Sequence, residues 1–221
     1  LKIYDTDTKT FWFYNGTVWT EIPDGSKSWN LSGNTLTDPA NQFIGTLDDN
    51  PLLFRIKNMH AGVLDSTSQN TAFGYRALDS AVFIPQQFNT AFGYKTLLNN
   101  TAGTFNTAIG GNSLRLNKTG FSNVAVGYGP LVSNITGAGN TANGIEALYY
   151  NTSANGNTAN GYQALYYNTT GYGNTANGYQ ALYLNNAGIF NTAVGSFALY
   201  LKTTGSYNTA VGGYALYSDT S

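Results

Sequence analysis

The sequence contains no cysteine and few charged residues. The lack of cysteine excludes disulfide bonds, thiol catalysis and cysteine-based metal sites, and it is compatible with an exported protein. Only 10% of the 221 residues are charged and the net charge is −1, which gives no electrostatic basis for binding nucleic acid or an anionic membrane. No apolar run approaches the roughly 18 residues of a membrane span, so we expect no membrane insertion of this segment. The first residue is Leu1 and not methionine, which predicts a mature or excised piece.

Polarity comes instead from uncharged residues that form hydrogen bonds. The chain has 26 glycines, 17 tyrosines and 12 phenylalanines, and asparagine, threonine and serine recur throughout. A disordered chain would have high net charge and few aromatic residues. The composition therefore favours a neutral, folded β protein.

One short motif, N-[TV]-A-x-G, recurs nine times and organises the chain from residue 70 onwards. From the second copy onwards every spacing is 17, and the spacing between the first two copies is slightly longer. Glycine occupies the fifth position of the unit and leucine the ninth in every copy. A fixed period of this size is the signature of a solenoid. The copies begin at Asn70, Asn89, Asn106, Asn123, Asn140, Asn157, Asn174, Asn191 and Asn208.

The unit is too short for a helical hairpin, and a glycine in its middle disfavours helix. Fully extended, one unit reaches at most about 56 Å, enough for one circuit with two short strands and two turns. Stacked circuits place like side chains about 4.8 Å apart, so asparagines bond along the stack. We predict an all-β fold: a parallel β-roll, or β-solenoid, of nine coils of about 17 residues. Its stacked core comprises Leu148, Leu165, Leu182 and Leu199.

Charge and turn residues divide the chain into three parts. Residues 1–69 hold eight of the eleven acidic residues, and strand patterns around "DTDTK" and "NGT" predict a small β-meander over residues 1–29. Residues 30–69 are predicted to be a linker and short-strand connector, with strands in "QFIGTL", "PLLFRIKN" and "AGVLD". Residues 70–221 are predicted to form the β-roll. The ninth copy stops partway, so we expect the roll to continue in a parent protein.

The fourth position of the unit is apolar in six coils and asparagine in three consecutive ones. This pattern predicts a position that faces inwards or lies at a contact between subunits. Each coil has few large apolar residues, so we expect several chains to associate. In such an assembly Asn143, Asn160 and Asn177 are predicted to form axial polar layers, which either hold water or an anion or only fix the register.

A column of tyrosines follows the leucines along the repeats. Tyrosine rings beside amides such as Gln163 and Gln180 are typical of surfaces that bind sugars. The alternative is that the rings pack between subunits or cover the edge of the roll. The candidate surface-binding residues are Tyr149, Tyr150, Tyr166, Tyr167, Tyr183, Tyr200 and Tyr217, with Tyr162 and Tyr179 on another face.

Residues suited to catalysis are scarce. His60 is the single histidine and lacks an orienting partner, so we interpret it as a connector residue. No GxSxG motif occurs, and a solenoid glycosidase would need a carboxylate pair that the repeats do not offer. We expect no enzymatic activity, no metal and no cofactor. Four aspartates lack the spacing of a calcium-binding loop and are interpreted as turn residues, namely Asp5, Asp7, Asp48 and Asp49.

The repeats "FNTAVGSFAL" (190–199) and "YNTAVGGYAL" (207–216) resemble the "NSVAIG" signature of YadA-like heads in trimeric autotransporter adhesins. The N-terminal segments look like those of large trimeric surface and tail-fibre-like bacterial proteins. The resemblance implies a left-handed β-roll, a homotrimer, and a location outside the cell, on the cell surface or in a fibre or appendage. The usual coil of these heads is shorter than the unit found in this chain, so we expect the cross-section of the roll to differ.

These observations favour a non-enzymatic surface fibre or adhesin segment that attaches to cells, glycans or surfaces. Its partners would be copies of itself and a glycan or the surface of a host, prey or neighbouring cell, and no nucleic acid. The alternative is a purely structural stalk or spacer that carries a binding tip elsewhere in the parent chain. An ice-binding solenoid is a third hypothesis, suggested by one threonine per coil and weakened by Val124, which interrupts that column.

Overall fold

Every regular element of the described chain is a β-strand. A computed structural model describes residues 2–6, 10–22, 49–80 and 85–218, which belong to two compact units, residues 1–46 and 47–221. The first unit contains β1 (Lys2–Asp5), β2 (Thr10–Tyr14) and β3 (Trp19–Ile22). The second contains β4 (Leu52–Ile56), β5 (Met59–Leu64), β6 (Thr71–Phe73), β7 (Thr90–Phe92), β8 (Thr107–Ile109), β9 (Val124–Val126), β10 (Thr141–Asn143), β11 (Thr158–Asn160), β12 (Thr175–Asn177), β13 (Thr192–Val194) and β14 (Thr209–Val211).

The first unit is a small antiparallel sheet in the order β1-β2-β3. Its second turn is held by Asn15, whose side-chain oxygen accepts the backbone N–H groups of Thr17 and Val18 at 2.9 and 3.0 Å. Asparagine side chains commonly close turns in this way. The predicted antiparallel meander is therefore confirmed in these strands. Asp7, Asp48 and the predicted strand in "QFIGTL" lie outside the described residues.

The second unit is built on one eleven-stranded sheet. Strands β4 and β5 form an antiparallel hairpin, turned by Lys57 and Asn58 with φ of 49° and 61°, as two-residue hairpin turns require. Strand β5 pairs antiparallel with β6, and from β6 to β14 every pair is parallel. Pairing is in register, for example Ala142 with Ala159. The predicted parallel solenoid is confirmed with the spacing expected from the sequence, and its nine parallel strands make eight complete turns.

The core of the coils is narrow and made of small residues. Within each three-residue strand the middle alanine points inwards and is buried, because side chains alternate across a strand. The leucines at the ninth position form a second buried file. Leu148, Leu165, Leu182 and Leu199 are each 0% exposed. The backbone N–H of Leu165 donates to the carbonyl of Ala181 in the next coil at 3.0 Å, so this turn of the coil is bonded along the stack as the strands are.

Two ladders of buried asparagine run through the other half of the coil. The first, the strand ladder, uses the asparagine that opens each unit. The side-chain oxygen of Asn140 accepts both the backbone N–H and the side-chain amide of Asn157, at 3.0 and 3.2 Å. The Asn140 amide donates to Asn123 at 3.1 Å and to the carbonyl of Ala154 at 2.8 Å. Each such asparagine therefore forms hydrogen bonds with residues of three consecutive coils.

The second ladder, the turn ladder, uses the asparagine at the twelfth position. The amide of Asn134 donates to the side-chain oxygen of Asn117 at 2.7 Å and to the carbonyl of Gly137 at 3.0 Å. The same carbonyl accepts the amide of Asn123 from the strand ladder at 2.8 Å. The two ladders thus meet at one backbone oxygen in each coil and are coupled through it.

The turn ladder stops at Lys202, which occupies the twelfth position of its coil and is only 1% exposed. The side-chain oxygen of Asn168 accepts from Asn185 at 2.8 Å. The equivalent oxygen of Asn185 has no hydrogen-bond partner, because the next residue in the file is a lysine, which offers no amide there. A buried acceptor without a donor costs stability.

We expect Lys202→Asn to stabilise the protein. The new side-chain amide continues the ladder and gives the Asn185 oxygen a donor, which should raise the free energy of unfolding by about 1–3 kcal/mol. Urea denaturation followed by circular dichroism measures the change. Lys118→Asn is the control, because it makes the same substitution at an exposed residue and should change stability by less than about 0.5 kcal/mol. A Lys202→Asn protein no more stable than the parent would contradict the interpretation.

Candidate binding face

Five tyrosines at the tenth position form a continuous stack along the coils. Their ring centroids are separated by 5.3, 5.3, 5.0 and 5.1 Å from Tyr149 to Tyr217. The rings of Tyr183 and Tyr200 are nearly parallel, at 1°. The stack follows from the register, since identical positions lie one strand spacing apart. Its members are Tyr149, Tyr166, Tyr183, Tyr200 and Tyr217.

Two further tyrosines, at the eleventh position, stand against this stack. Tyr150 and Tyr167 stack on each other at 5.2 Å, and each meets the next ring of the first stack edge-on, as Tyr167 does with Tyr183 at 5.3 Å and 89°. Edge-to-face pairs of this kind are favourable beyond the area they bury. Tyr150 and Tyr167 are 39% and 41% exposed, whereas the five stacked rings are half-buried. We call the seven residues the tyrosine face.

Burial within the tyrosine face changes the acidity of its phenols. Desolvation raises the pKa of Tyr166, helped by the negative charge of Glu146. Desolvation also raises the pKa of Tyr183 to about 12, and it raises the pKa of Tyr200. A raised phenol pKa keeps the neutral form well into alkaline solution. These hydroxyls therefore stay neutral hydrogen-bonding groups, suited to uncharged polar ligands.

A row of hydrogen-bonded polar side chains at the seventh position runs beside the tyrosine face. The Gln163 amide donates to Glu146 at 2.8 Å, and the Gln180 amide donates to Gln163 at 2.7 Å. Phe197 continues the row and contacts both Tyr179, at 5.1 Å, and Tyr200, at 5.6 Å. The column that holds Tyr162 and Tyr179 thus meets the tyrosine face through Phe197.

A groove of about 490 Å³ opens where the exposed tyrosines end. Tyr150 and Tyr167 form one wall, and Leu184 takes the next place in their column. Thr169, Asn186 and Thr203 supply polar groups along the edge. The repeat pattern alone does not predict this groove, although the change from tyrosine to leucine at the eleventh position signals it. Aromatic walls with a few polar groups are usual in sites for small organic ligands.

The predicted polar layers lie on the outer surface of the sheet. Asn143 and Asn177 are exposed and Asn160 is half-buried, because the alanine before each of them points into the coil. The alternative that the fourth position faces inwards is therefore wrong. The same outer column contains exposed apolar residues, such as Phe92 and Ile109, each 42% exposed. Contact between subunits through this column stays a prediction.

The remaining candidate residues include His60, which lines a cavity of about 270 Å³ together with Arg55, Asp65 and Asp79. His60 lies within β5, and its Nδ1 bonds the carbonyl of Ala77 at 2.7 Å. Asp49 is exposed. In the part of the chain that the structure describes, no three histidine, cysteine or acidic side chains lie together as metal ligands would. Within the same ranges there is no helix with the length and apolarity needed to cross a membrane.

Comparison of the chain with protein-family models, curated proteins and solved structures finds no match. The likeness to YadA-like heads therefore depends on the repeat motif.

Proposed function

We propose that the chain is a rigid, non-enzymatic segment of an extracellular fibre that attaches through the tyrosine face to glycans on cells or other surfaces. The observation that carries the proposal is the exposure of Tyr150 and Tyr167 above a half-buried stack of like rings. Tyrosine presents an apolar ring and a polar tip, so it suits sugar rings whose faces are apolar and whose edges carry hydroxyls. Repetition multiplies weak contacts into avidity.

In this proposal the fibre is a homotrimer whose chains contact one another through the fourth-position column. Exposed aromatic and aliphatic side chains in one file support this, since such patches on soluble proteins commonly mark interaction surfaces. Asn143, Asn160 and Asn177 interrupt the apolar column and would fix the register between chains, as a buried asparagine does in coiled coils. Light scattering of the purified chain measures the assembly, and a monomer would remove this part of the proposal.

The double substitution Tyr150→Ser/Tyr167→Ser tests the attachment function. Serine already stands at the eleventh position in Ser133, so the coil accommodates it and we expect the fold to be kept. Binding of the intact assembly to a glycan array and to whole cells should fall at least about tenfold, the effect of losing about 1.4 kcal/mol. Ser133→Ala, a change at the same position outside the face, is the control and should leave binding unchanged.

The same experiment distinguishes attachment through the tyrosine face from the competing role, a stalk that bears its binding tip elsewhere in the parent chain. An unaltered protein that binds neither glycans nor cells at high avidity favours the stalk. Dissociation of the assembly in the double variant would instead mean that the tyrosines pack between subunits.

A further inference from the structure

A notch interrupts the row of side chains at the seventh position of the unit. Glu146, Gln163 and Gln180 fill this position in three consecutive coils and bond to one another. The preceding coil has Gly129 there, so no side chain fills the place between Asn112 and Glu146. A cavity of about 280 Å³ opens at this place, with Gly129 buried beneath it.

Two tyrosine rings flank the notch. Tyr149, the first residue of the tyrosine face, has its ring edge 3.7 Å from where a Cβ of Gly129 would lie. Tyr128 is 58% exposed and lies over Gly111, with a ring carbon 3.2 Å from the corresponding Cβ position. Two glycines therefore have complementary effects: Gly129 places no side chain in the notch, and Gly111 leaves room for the Tyr128 ring.

Opposite charges with unused hydrogen-bonding capacity line the same cavity. Glu146 accepts from Gln163 through Oε2, and no described residue donates to its Oε1. Arg115 forms no ion pair or side-chain hydrogen bond with the described residues, and its buried Nε has no partner. Buried polar groups without partners are uncommon in folded proteins and call for an explanation. Asn112 adds an amide to the same wall.

We propose that the notch binds one neutral sugar ring of a glycan. In this arrangement the ring lies between Tyr128 and Tyr149, the Glu146 carboxylate accepts its hydroxyl protons, and Arg115 and Asn112 donate to its oxygens. The inference rests on the proposed function, because it assigns one unit of the attached glycan to a specific place at the end of the tyrosine face.

Charge and size together favour a neutral sugar over a simple anion or a simple cation. Glu146 would repel a simple anion and Arg115 a simple cation, whereas hydroxyl groups both donate and accept and so satisfy the two together. Hydrogen bonds to charged side chains are stronger than neutral ones. The volume of about 280 Å³ lies just below the range of about 300 to 1,000 Å³ typical of small-molecule sites, so it suits a single ring.

Saturation-transfer NMR and calorimetry on the full 221-residue chain test the proposal. The probes are the methyl glycosides of glucose, galactose, mannose and N-acetylglucosamine. We expect at least one to bind with a Kd of about 1 mM, as befits a ligand of this size. Sulfate and glycine serve as anionic and zwitterionic comparison ligands and should not bind at this concentration.

Three variants locate the binding. Gly129→Gln places in the notch the side chain that Gln163 and Gln180 carry at a similar positive φ. Pro130 restricts the residue before it, so circular dichroism must first show that the variant folds, and its binding should then disappear. Glu146→Gln keeps the shape and the acceptor for Gln163 but removes the charge, and should weaken binding about tenfold or more. Thr170→Glu adds a carboxylate at an exposed residue that does not line the notch and should leave affinity unchanged.

Loss of sugar binding in Gly129→Gln and weakening in Glu146→Gln, with both proteins folded by circular dichroism, support the proposal. The proposal is overturned if no glycoside binds at a concentration ten times the expected Kd, or if sulfate or glycine competes with the glycoside. It is also overturned if Gly129→Gln binds the glycoside as well as the parent does. In those cases attachment to cells that still depends on Tyr150 and Tyr167 would leave the proposed function intact. If the unaltered chain binds neither the glycosides nor cells, the notch proposal and the proposed function are both contradicted.

Discussion

Gly161→Ala is expected to lower the free energy of unfolding by about 4 kcal/mol or more, or to prevent folding. Gly161 has φ of +131°, a conformation that residues with a Cβ rarely adopt. A Cβ at this position would also lie 2.5 Å from the carbonyl oxygen of Gly178 in the next coil. That oxygen belongs to the backbone, so the clash is relieved only if two coils separate and the bonds between them lengthen.

Two control substitutions separate the causes of this effect. Gly156→Ala, five positions earlier, has φ of +66° and nothing within 4 Å of the new Cβ, so it should cost only about 1 kcal/mol. Gly212→Ala has φ of +121°, and its nearest neighbour is the Ala215 Cβ at 4.0 Å, so it tests the backbone conformation without the clash. Urea denaturation compares the three. Equal losses for Gly161→Ala and Gly212→Ala would show that close stacking does not demand the glycine.

Asn140→Asp is expected to destabilise the protein by about 3–5 kcal/mol at neutral pH. Asn140 is 0% exposed. The substitution replaces the amide that donates to Asn123 and to the Ala154 carbonyl with an acceptor, so three oxygens then face one another without a proton. The carboxylate keeps the donors from Asn157, but no cation lies among the described bonding partners to offset its charge.

The loss of stability caused by Asn140→Asp should grow as pH rises. Burial raises the pKa of the introduced carboxyl group above its unfolded value of about 3.9. Relative to the parent, the variant is therefore least destabilised below about pH 3.9, where the protonated acid can donate one of the two hydrogen bonds made by the amide. Its stability falls as pH rises through the folded pKa. Asn155→Asp is the matched control, because Asn155 is exposed and an aspartate can still accept the backbone N–H of Ala138, so this change should be nearly neutral. Similar behaviour of the two variants would contradict the role of the strand ladder.

Much of the fold follows from spacing alone. The constant period of the repeats specifies which residues lie in one file, so the strands and the buried leucines such as Leu165 could be predicted without knowing the path of the turns. The outward direction of Asn160 could not, because a shift of one position in the strand register exchanges inside and outside. In the structure the alanine that precedes Asn160 is buried, so Asn160 itself points outwards.

The candidate sites were only partly predictable. The tyrosine face was visible as a column in the aligned repeats, but the groove beside Leu184 and the notch over Gly129 depend on what neighbouring coils place around a missing side chain. Lys202 is a similar case. A lysine is ordinarily expected at the surface, and only its alignment with the asparagines of the turn ladder indicates that it is buried.

The two asparagine ladders have a consequence for how such a chain can evolve. The coils that carry both ladder asparagines offer their neighbours the same donors and acceptors, so duplication or deletion of one such unit rejoins matching surfaces and changes the length by about 4.8 Å. An insertion or deletion that shifted Asn157 relative to Asn140 would instead break these bonds, whereas the longer first unit keeps the bond from the backbone N–H of Asn89 to Asn70. Length can therefore vary in whole units, and extra residues within a unit are accommodated where the ladder asparagines stay aligned.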